Sequence, residues 1–173
     1  MALIYGSTSG TTEHIAGEIE HFWQEQSGEE LPVFNIAEVT DLSLLTTFNT
    51  LIIGVPTWNI GELQDDWLDV YPDLDVLDFS GKRIALFGIG DQHNYSDNFQ
   101  DALGILGYKF RACGAELIGF TSIDGYDFEA SQGIENGQFM GLAIDDLNQP
   151  DLNELRIINW VAQLIALTEV VKR

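Results

Sequence analysis

Ser7-Thr8-Ser9-Gly10-Thr11-Thr12 follows the apolar run Ala2-Leu3-Ile4-Tyr5 and precedes an amphipathic pattern that opens near Glu13. This order reads as a strand, a hydroxyl-rich turn and the start of a helix. Backbone N–H groups converge at such a helix start, and the helix dipole adds positive potential, so a phosphate suits the place. The turn holds five hydroxyls and neither Lys nor Arg. A nucleoside triphosphate loop would carry the pattern G-x-x-x-x-G-K-[ST], with its lysine among the phosphates. Uncharged amides and hydroxyls suit one phosphate monoester better. Taken alone, the stretch is read more often as a plain helix cap.

Outward from this turn, apolar runs alternate with helical patterns. Strands are expected at Ala2–Tyr5, Pro32–Ile36, Thr50–Val55, Arg83–Gly88 and Glu116–Phe120. Their short, continuous apolar character is that of strands covered on both faces. Helical spacing links Ile15, Ile19, Phe22 and Trp23, and later Phe99, Leu103, Leu106 and Phe110. Shorter helices are expected at Asp41–Phe48 and Leu63–Tyr71. Near the C-terminus, Asp151 after Pro150 reads as a helix cap, with Leu155, Ile158, Ala162 and Ile165 as the buried stripe. The alternation predicts an α/β fold: one domain over residues 1–173, built on a doubly wound five-stranded parallel sheet. Thr121–Gln138 is polar and lies between strand-like Glu116–Phe120 and Phe139–Ile144, so it reads as an insertion splitting the fifth strand.

Charge narrows the function. The chain of 173 residues carries 28 acidic and 7 basic residues, a net charge of −21. Such a surface repels nucleic acid and anionic membranes and attracts basic protein partners. Asp65, Asp66, Asp69, Asp73, Asp75 and Asp78 alternate with Trp67, Val70, Leu74 and Leu77, as on the solvated side of packed structure. Cys113 is the only cysteine and reads as a small buried helical residue. His14 and His21 read as solvated helix positions, and no metal site is expected. No apolar run is long enough to span a membrane, and no secretory leader is recognisable, which places the protein in the cytoplasm by expectation.

In open α/β sheets, ligands bind beyond the carboxyl ends of the strands, where strand order reverses. After the third and fourth strands stand Pro56–Leu63 and Gly88–Phe99, each with one aromatic residue in a polar, glycine-containing setting: Trp58 and Tyr95. Paired with a phosphate turn, they point to a phosphorylated planar heterocycle.

These segments carry a family resemblance. The turn, P-T-W-N-I-G-E-L from Pro56, G-D-Q-x-x-Y-S-D-N-F from Gly90, D-G-Y-D-F from Asp124 and G-L-A-I-D-x-x-N-Q from Gly141 resemble a long-chain flavodoxin, in order from Leu3 to the last helix. The resemblance implies the flavodoxin-like strand order 2-1-3-4-5 and a non-covalently bound FMN. By it, Ser7, Thr8, Ser9, Gly10, Thr11 and Thr12 hold the phosphate. Trp58 covers one ring face and Tyr95 the other. Thr57, Asn59, Ile60, Gly61, Gly90, Asp91 and Gln92 supply backbone and edge contacts. It further implies a low-potential one-electron carrier, not an enzyme, cycling between neutral semiquinone and anionic hydroquinone. A peptide flip at Asn59–Ile60 would present the Asn59 carbonyl to the flavin N5–H. Asp91 and Asp97 then order the loop and face partners, while Asp145 and Asp146 add negative field. The implied partners are basic redox proteins, a reductase and acceptor enzymes, which meet a monomer transiently. The alternative is an FMN-dependent NAD(P)H:quinone reductase, which needs a substrate pocket on the ring face that Tyr95 would occupy. A receiver module of similar topology would want an acid where this chain has Gly54-Val55-Pro56. Two departures stand out: serines at 7 and 9, where threonine is frequent, and His93-Asn94, where relatives have an apolar residue and glycine.

Overall fold

The computed structural model describes residues 1–169, so the last four residues of the expected domain lie outside it. Five β-strand positions form the central sheet. β1 (Ala2–Tyr5) lies between β2 (Val33–Asn35) and β3 (Thr50–Trp58), and β5 (Arg83–Ile89) follows on the far side of β3. All these pairs are parallel. The fifth position is shared, as the sequence predicted. β6 (Glu116–Ile118) pairs with Arg83–Ala85, and β10 (Leu142–Ile144) pairs with Phe87–Ile89. The order is therefore 2-1-3-4-5 once the two halves are counted as one strand.

Side-chain alternation explains why both faces are covered. Ala2, Ile4, Leu51, Ile53, Val55, Ile84 and Leu86 face one core, closed by α3 (Asp65–Val70) and α4 (Asp101–Ala112) through Trp67, Leu103, Leu106 and Phe110. Leu3, Tyr5, Ile52, Ala85 and Phe87 face the other, closed by α1 (Thr11–Ser27) and α5 (Pro150–Glu169). A period of two sends each strand's residues to opposite layers, so a buried strand reads as an unbroken apolar run. No helix among the described residues is long and apolar enough to cross a membrane.

Some expectations are corrected. The stripe α5 buries is Ile157, Trp160, Val161 and Leu164, whereas Leu155 is 60% exposed. Apolar residues occur on more than one face of α5, so spacing alone fits either stripe. Pro150 is the first residue of α5, so Asp151 sits inside the helix instead of capping it. The short helix α2 covers only Leu44–Thr47, and Cys113 is half-buried just past α4. Asp65, Asp69, Asp73, Asp75 and Asp78 are exposed, while Trp67 and Leu74 between them are fully buried, in keeping with a solvated face.

The insertion is less polar in space than in sequence. β7 (Thr121–Ser122), β8 (Ile134–Glu135) and β9 (Gln138–Phe139) form a small antiparallel sheet in the order 7-9-8. Asn136 and Gly137 join β8 to β9 with φ of 52° and 77°, the two positive values a type I′ hairpin turn needs. The expected strand Phe139–Ile144 is accordingly broken between β9 and β10. Tyr126, Phe128 and Phe139 pack round the buried Phe99 at centroid distances of 5.7, 5.2 and 5.8 Å.

Candidate functional site

The turn after β1 does not spend its hydroxyls on capping α1. Gly10 is the N-cap, in the left-handed region at φ 91°, and no side chain caps the helix. The helical ladder begins with His14 N–H to Gly10 O at 2.9 Å. The amides of Thr11, Thr12 and Glu13 precede it and have no intrahelical acceptor. Ser7 Oγ accepts from Gly10 N–H at 3.1 Å, which closes the turn on itself. Gln64 Nε2 reaches across to donate to Thr8 Oγ1 at 3.0 Å and to Asp66 Oδ2 at 2.6 Å. Uncommitted amides beside hydroxyls, with the helix dipole behind them, form a pocket for a phosphate.

Above this turn lies a cavity of about 310 Å³. Its lining includes Ser9, Thr11 and Thr12 from the turn, Thr57 and Trp58 from β3, and Gly90, Asp91 and Tyr95 from the loop after β5. The structure thus brings the turn and both loop aromatics together at the carboxyl ends of neighbouring strands. Trp58 is half-buried and Tyr95 is 47% exposed, so neither side chain is sealed into the core. Size alone does not locate the site. A larger hollow of about 750 Å³ opens between Tyr5, Phe34, Glu38 and Leu44, without the turn or either loop aromatic.

The remaining expected residues stand round the cavity in different ways. β3 and β4 (Glu62–Leu63) form a hairpin through Trp58-Asn59-Ile60-Gly61, closed by Gly61 N–H to Trp58 O at 3.1 Å. Asn59 has φ 46° and its side-chain Nδ2 donates to Glu62 Oε2 at 2.6 Å; Ile60 is 75% exposed. Ser7, Thr8 and Gly10 belong to the turn, and Asn59, Ile60 and Gly61 to the hairpin after Trp58, but none of the six lines the cavity itself. Gln92 is turned inward. It is buried, with N–H and Nε2 both on Asp145 Oδ2 at 3.0 and 2.7 Å and Oε1 accepting from Asp127 N–H at 2.6 Å. Its side chain braces the loop from behind.

Asp91 orders the same loop. It accepts from His93 N–H at 3.1 Å, from Asn94 N–H and Nδ2 at 2.9 and 2.6 Å, and from Asn148 Nδ2 at 2.9 Å. Partial burial is the largest single influence and raises its pKa. The bonds from Asn94, Asn148 and His93 together outweigh it and hold the carboxyl below the ordinary 3.8. Asp145 is fully buried with no cation paired to it among the described residues, yet Gln92 and the N–H and Nδ2 of Asn148 all donate to it. Such donors make a buried carboxylate tolerable.

Sequence reading missed several contributors. Pro56, Ile89, Asn98, Phe99 and Leu147 also line the cavity, and so does Asp146, which had been expected only to add field. Leu147, 70% exposed, joins Tyr95 as an exposed apolar side chain at the cavity. Its signal was a leucine beside two acids at a strand end, a place where nothing in the core calls for one.

Comparison with known proteins agrees with this geometry. The flavodoxin family model matches residues 3–160. A flavodoxin from Synechococcus elongatus is 50% identical over 95% of both chains, and flavodoxin 1 from Escherichia coli is 40% identical over 94% of this chain and 90% of its own. Among solved structures, the Fusobacterium nucleatum flavodoxin bound to flavin mononucleotide superposes with a TM-score of 0.88 at 33% identity, covering 95% of this chain and 96% of that one. Sheet order, split fifth strand, phosphate turn and paired aromatics all point the same way: the chain belongs to the flavodoxin family.

Proposed function

We propose that this flavodoxin is a low-potential one-electron carrier that binds FMN non-covalently and works between its half-reduced and fully reduced, anionic forms. The observation that carries the reading is the meeting, in one cavity, of the uncapped turn with Trp58 and Tyr95. A phosphate monoester fits the donor set of the turn, and a flat ring fits between two half-exposed aromatics. Bound FMN supplies the redox chemistry, accepting and releasing one electron at a time.

The chain's own residues set the terms. Trp58 and Tyr95 exclude water from the ring faces. The turn brings no cation to the phosphate, and Asp91, Asp146 and Glu62 add negative charge nearby. Further negative charge on the ring is therefore costly, and each ~1.4 kcal/mol lowers a one-electron potential by roughly 59 mV. With FMN bound, the Asn59–Ile60 peptide would be the backbone element to present a carbonyl to the ring edge. It sits at the exposed tip of a hairpin, and its first residue already holds a positive φ.

The exposed acids, with exposed Ile60, Tyr95 and Leu147, suit transient docking of basic redox proteins, a reductase on one side and acceptor enzymes on the other. The carrier is read as a cytoplasmic monomer. Its acidity disfavours nucleic acid and anionic membrane surfaces as partners. Tyr95 stands where a quinone reductase would need room for substrate. Reconstitution tests the reading: FMN added to apo-protein should lose its fluorescence with one-to-one saturation. Undiminished fluorescence at stoichiometric concentrations would reject it.

A further inference from the structure

The start of α4 pins both ends of the turn between β3 and β4. At one end, Ala102 N–H donates to Thr57 Oγ1 at 3.2 Å. At the other, Gly61 lies against Asp101, so close that a β-carbon at position 61 would stand 2.5 Å from Asp101 Oδ2 and 3.1 Å from Asn98 Nδ2. With φ at 95°, Gly61 is required both by its backbone and by this contact. Asn59 and Ile60 between the pins are exposed, and the one side-chain bond they make among the described residues is Asn59 Nδ2 to the neighbouring Glu62.

Asp101 is itself unusual. It is 1% exposed, no cation pairs with it among the described residues, and its three donors are neutral amides. Asn98 Nδ2 donates at 3.2 Å, Gln132 N–H at 2.7 Å and Gln132 Nε2 at 2.9 Å. Two of these bonds come from the insertion. The insertion also bonds the second loop, through Asp127 N–H to Gln92 Oε1. A buried carboxylate is expensive unless such donors converge on it. Placed here, it touches both the insertion, at Gln132, and the turn, at Gly61.

We infer that the insertion sets the resting position of the Trp58–Gly61 turn through Gln132 and Asp101, and that Asp101 is a positioning residue for the ring site. The inference rests on the FMN-carrier reading. Gln132 fixes the carboxylate from the insertion side. The carboxylate backs Gly61, and Asn59–Ile60 moves about that fixed point.

Gln132→Ala keeps the backbone bond and the charge but releases Nε2, so it tests position apart from electrostatics. Asp101→Asn tests the carboxylate itself, and Gln132→Ala stands alone if that variant does not fold. Glu135→Gln is the control, because it breaks the Arg111–Glu135 pair elsewhere in the insertion without touching Asp101. Three readouts apply: hydrogen exchange of the Gly61 amide in apo-protein, FMN affinity, and the first one-electron potential. Gln132→Ala should speed Gly61 exchange about tenfold and weaken FMN binding. It should also change the first one-electron equilibrium up to tenfold, which is about 59 mV. Glu135→Gln should match wild type in all three. Wild-type values in Gln132→Ala, or equal changes in the control, would overturn the inference. Failure of wild type to bind FMN would overturn the carrier reading instead, while the exchange result would still judge the brace.

Discussion

Asn94 donates twice to Asp91, through its backbone N–H to Oδ1 at 2.9 Å and through Nδ2 to Oδ2 at 2.6 Å. The residue that departs from the family habit of glycine therefore closes the loop that carries Tyr95. Its φ is not positive, so the position does not require glycine. Asn94→Gly removes the side-chain bond and adds chain freedom, at a cost of about 1 kcal/mol. Urea unfolding should show that loss at neutral pH, and FMN should bind more weakly. The sign with pH follows from Asp91, whose carboxyl lies below 3.8 in the fold. Its contribution is complete above that ordinary value and is lost as pH falls through the lowered one. Wild type and variant should therefore converge in acid.

Turning the Asn59–Ile60 peptide rotates ψ of Asn59 and φ of Ile60. Asn59 already holds a positive φ, and Ile60 does not. A β-branched residue driven to positive φ costs about 1–2 kcal/mol. Ile60→Gly removes that cost and should raise the first one-electron potential by roughly 40 to 80 mV. Spectroelectrochemistry measures it, and an unchanged potential would take the turn out of the redox step.

The proposed acidic docking surface is best tested at Asp65 and Asp69. Both are exposed, whereas Asp66 holds Gln64, which in turn holds Thr8 of the phosphate turn. Asp65→Asn with Asp69→Asn should slow reduction by a basic reductase severalfold at low salt. The difference should vanish near ~1 M salt, where screening acts within about 3 Å. Equal stopped-flow rates at low salt would place docking elsewhere.

Tyr126 OH donates to Ala143 O at 2.5 Å under the guanidinium of Arg156, which lies 4.0 Å from its ring centre. Burial pushes its pKa up to about 12, against the smaller opposing pull of Arg156. Its stabilising effect is whole below the ordinary value of 10.0 and is lost as pH rises toward 12. Ultraviolet titration should show one tyrosine ionising near pH 12, and Tyr126→Phe should remove that step.

The strands were legible because a strand covered on both faces has no polar side to interrupt it; Ala2–Tyr5 is found where it was expected. Trp58 and Tyr95 were legible because aromatics in polar loops need something flat to cover. The buried face of α5 was not, since its apolar residues are spread round the helix. Nor were the braces. Gln64 meets Thr8 across 56 positions, Gln92 meets Asp145 across 53 and Gln132 meets Asp101 across 31. A polar residue whose partner is that distant leaves no local pattern, and only the fold reveals that it is buried. The aromatic cluster round Phe99 was hidden likewise, its members scattered singly through a polar stretch.

The central claim is one-electron transport at low potential, and anaerobic reductive titration of the FMN-loaded protein followed by absorbance tests it most directly. Two separated one-electron steps are expected, with long-wavelength absorption rising through the first and disappearing in a second, markedly more negative one. Direct two-electron bleaching, without that intermediate band, would contradict the account.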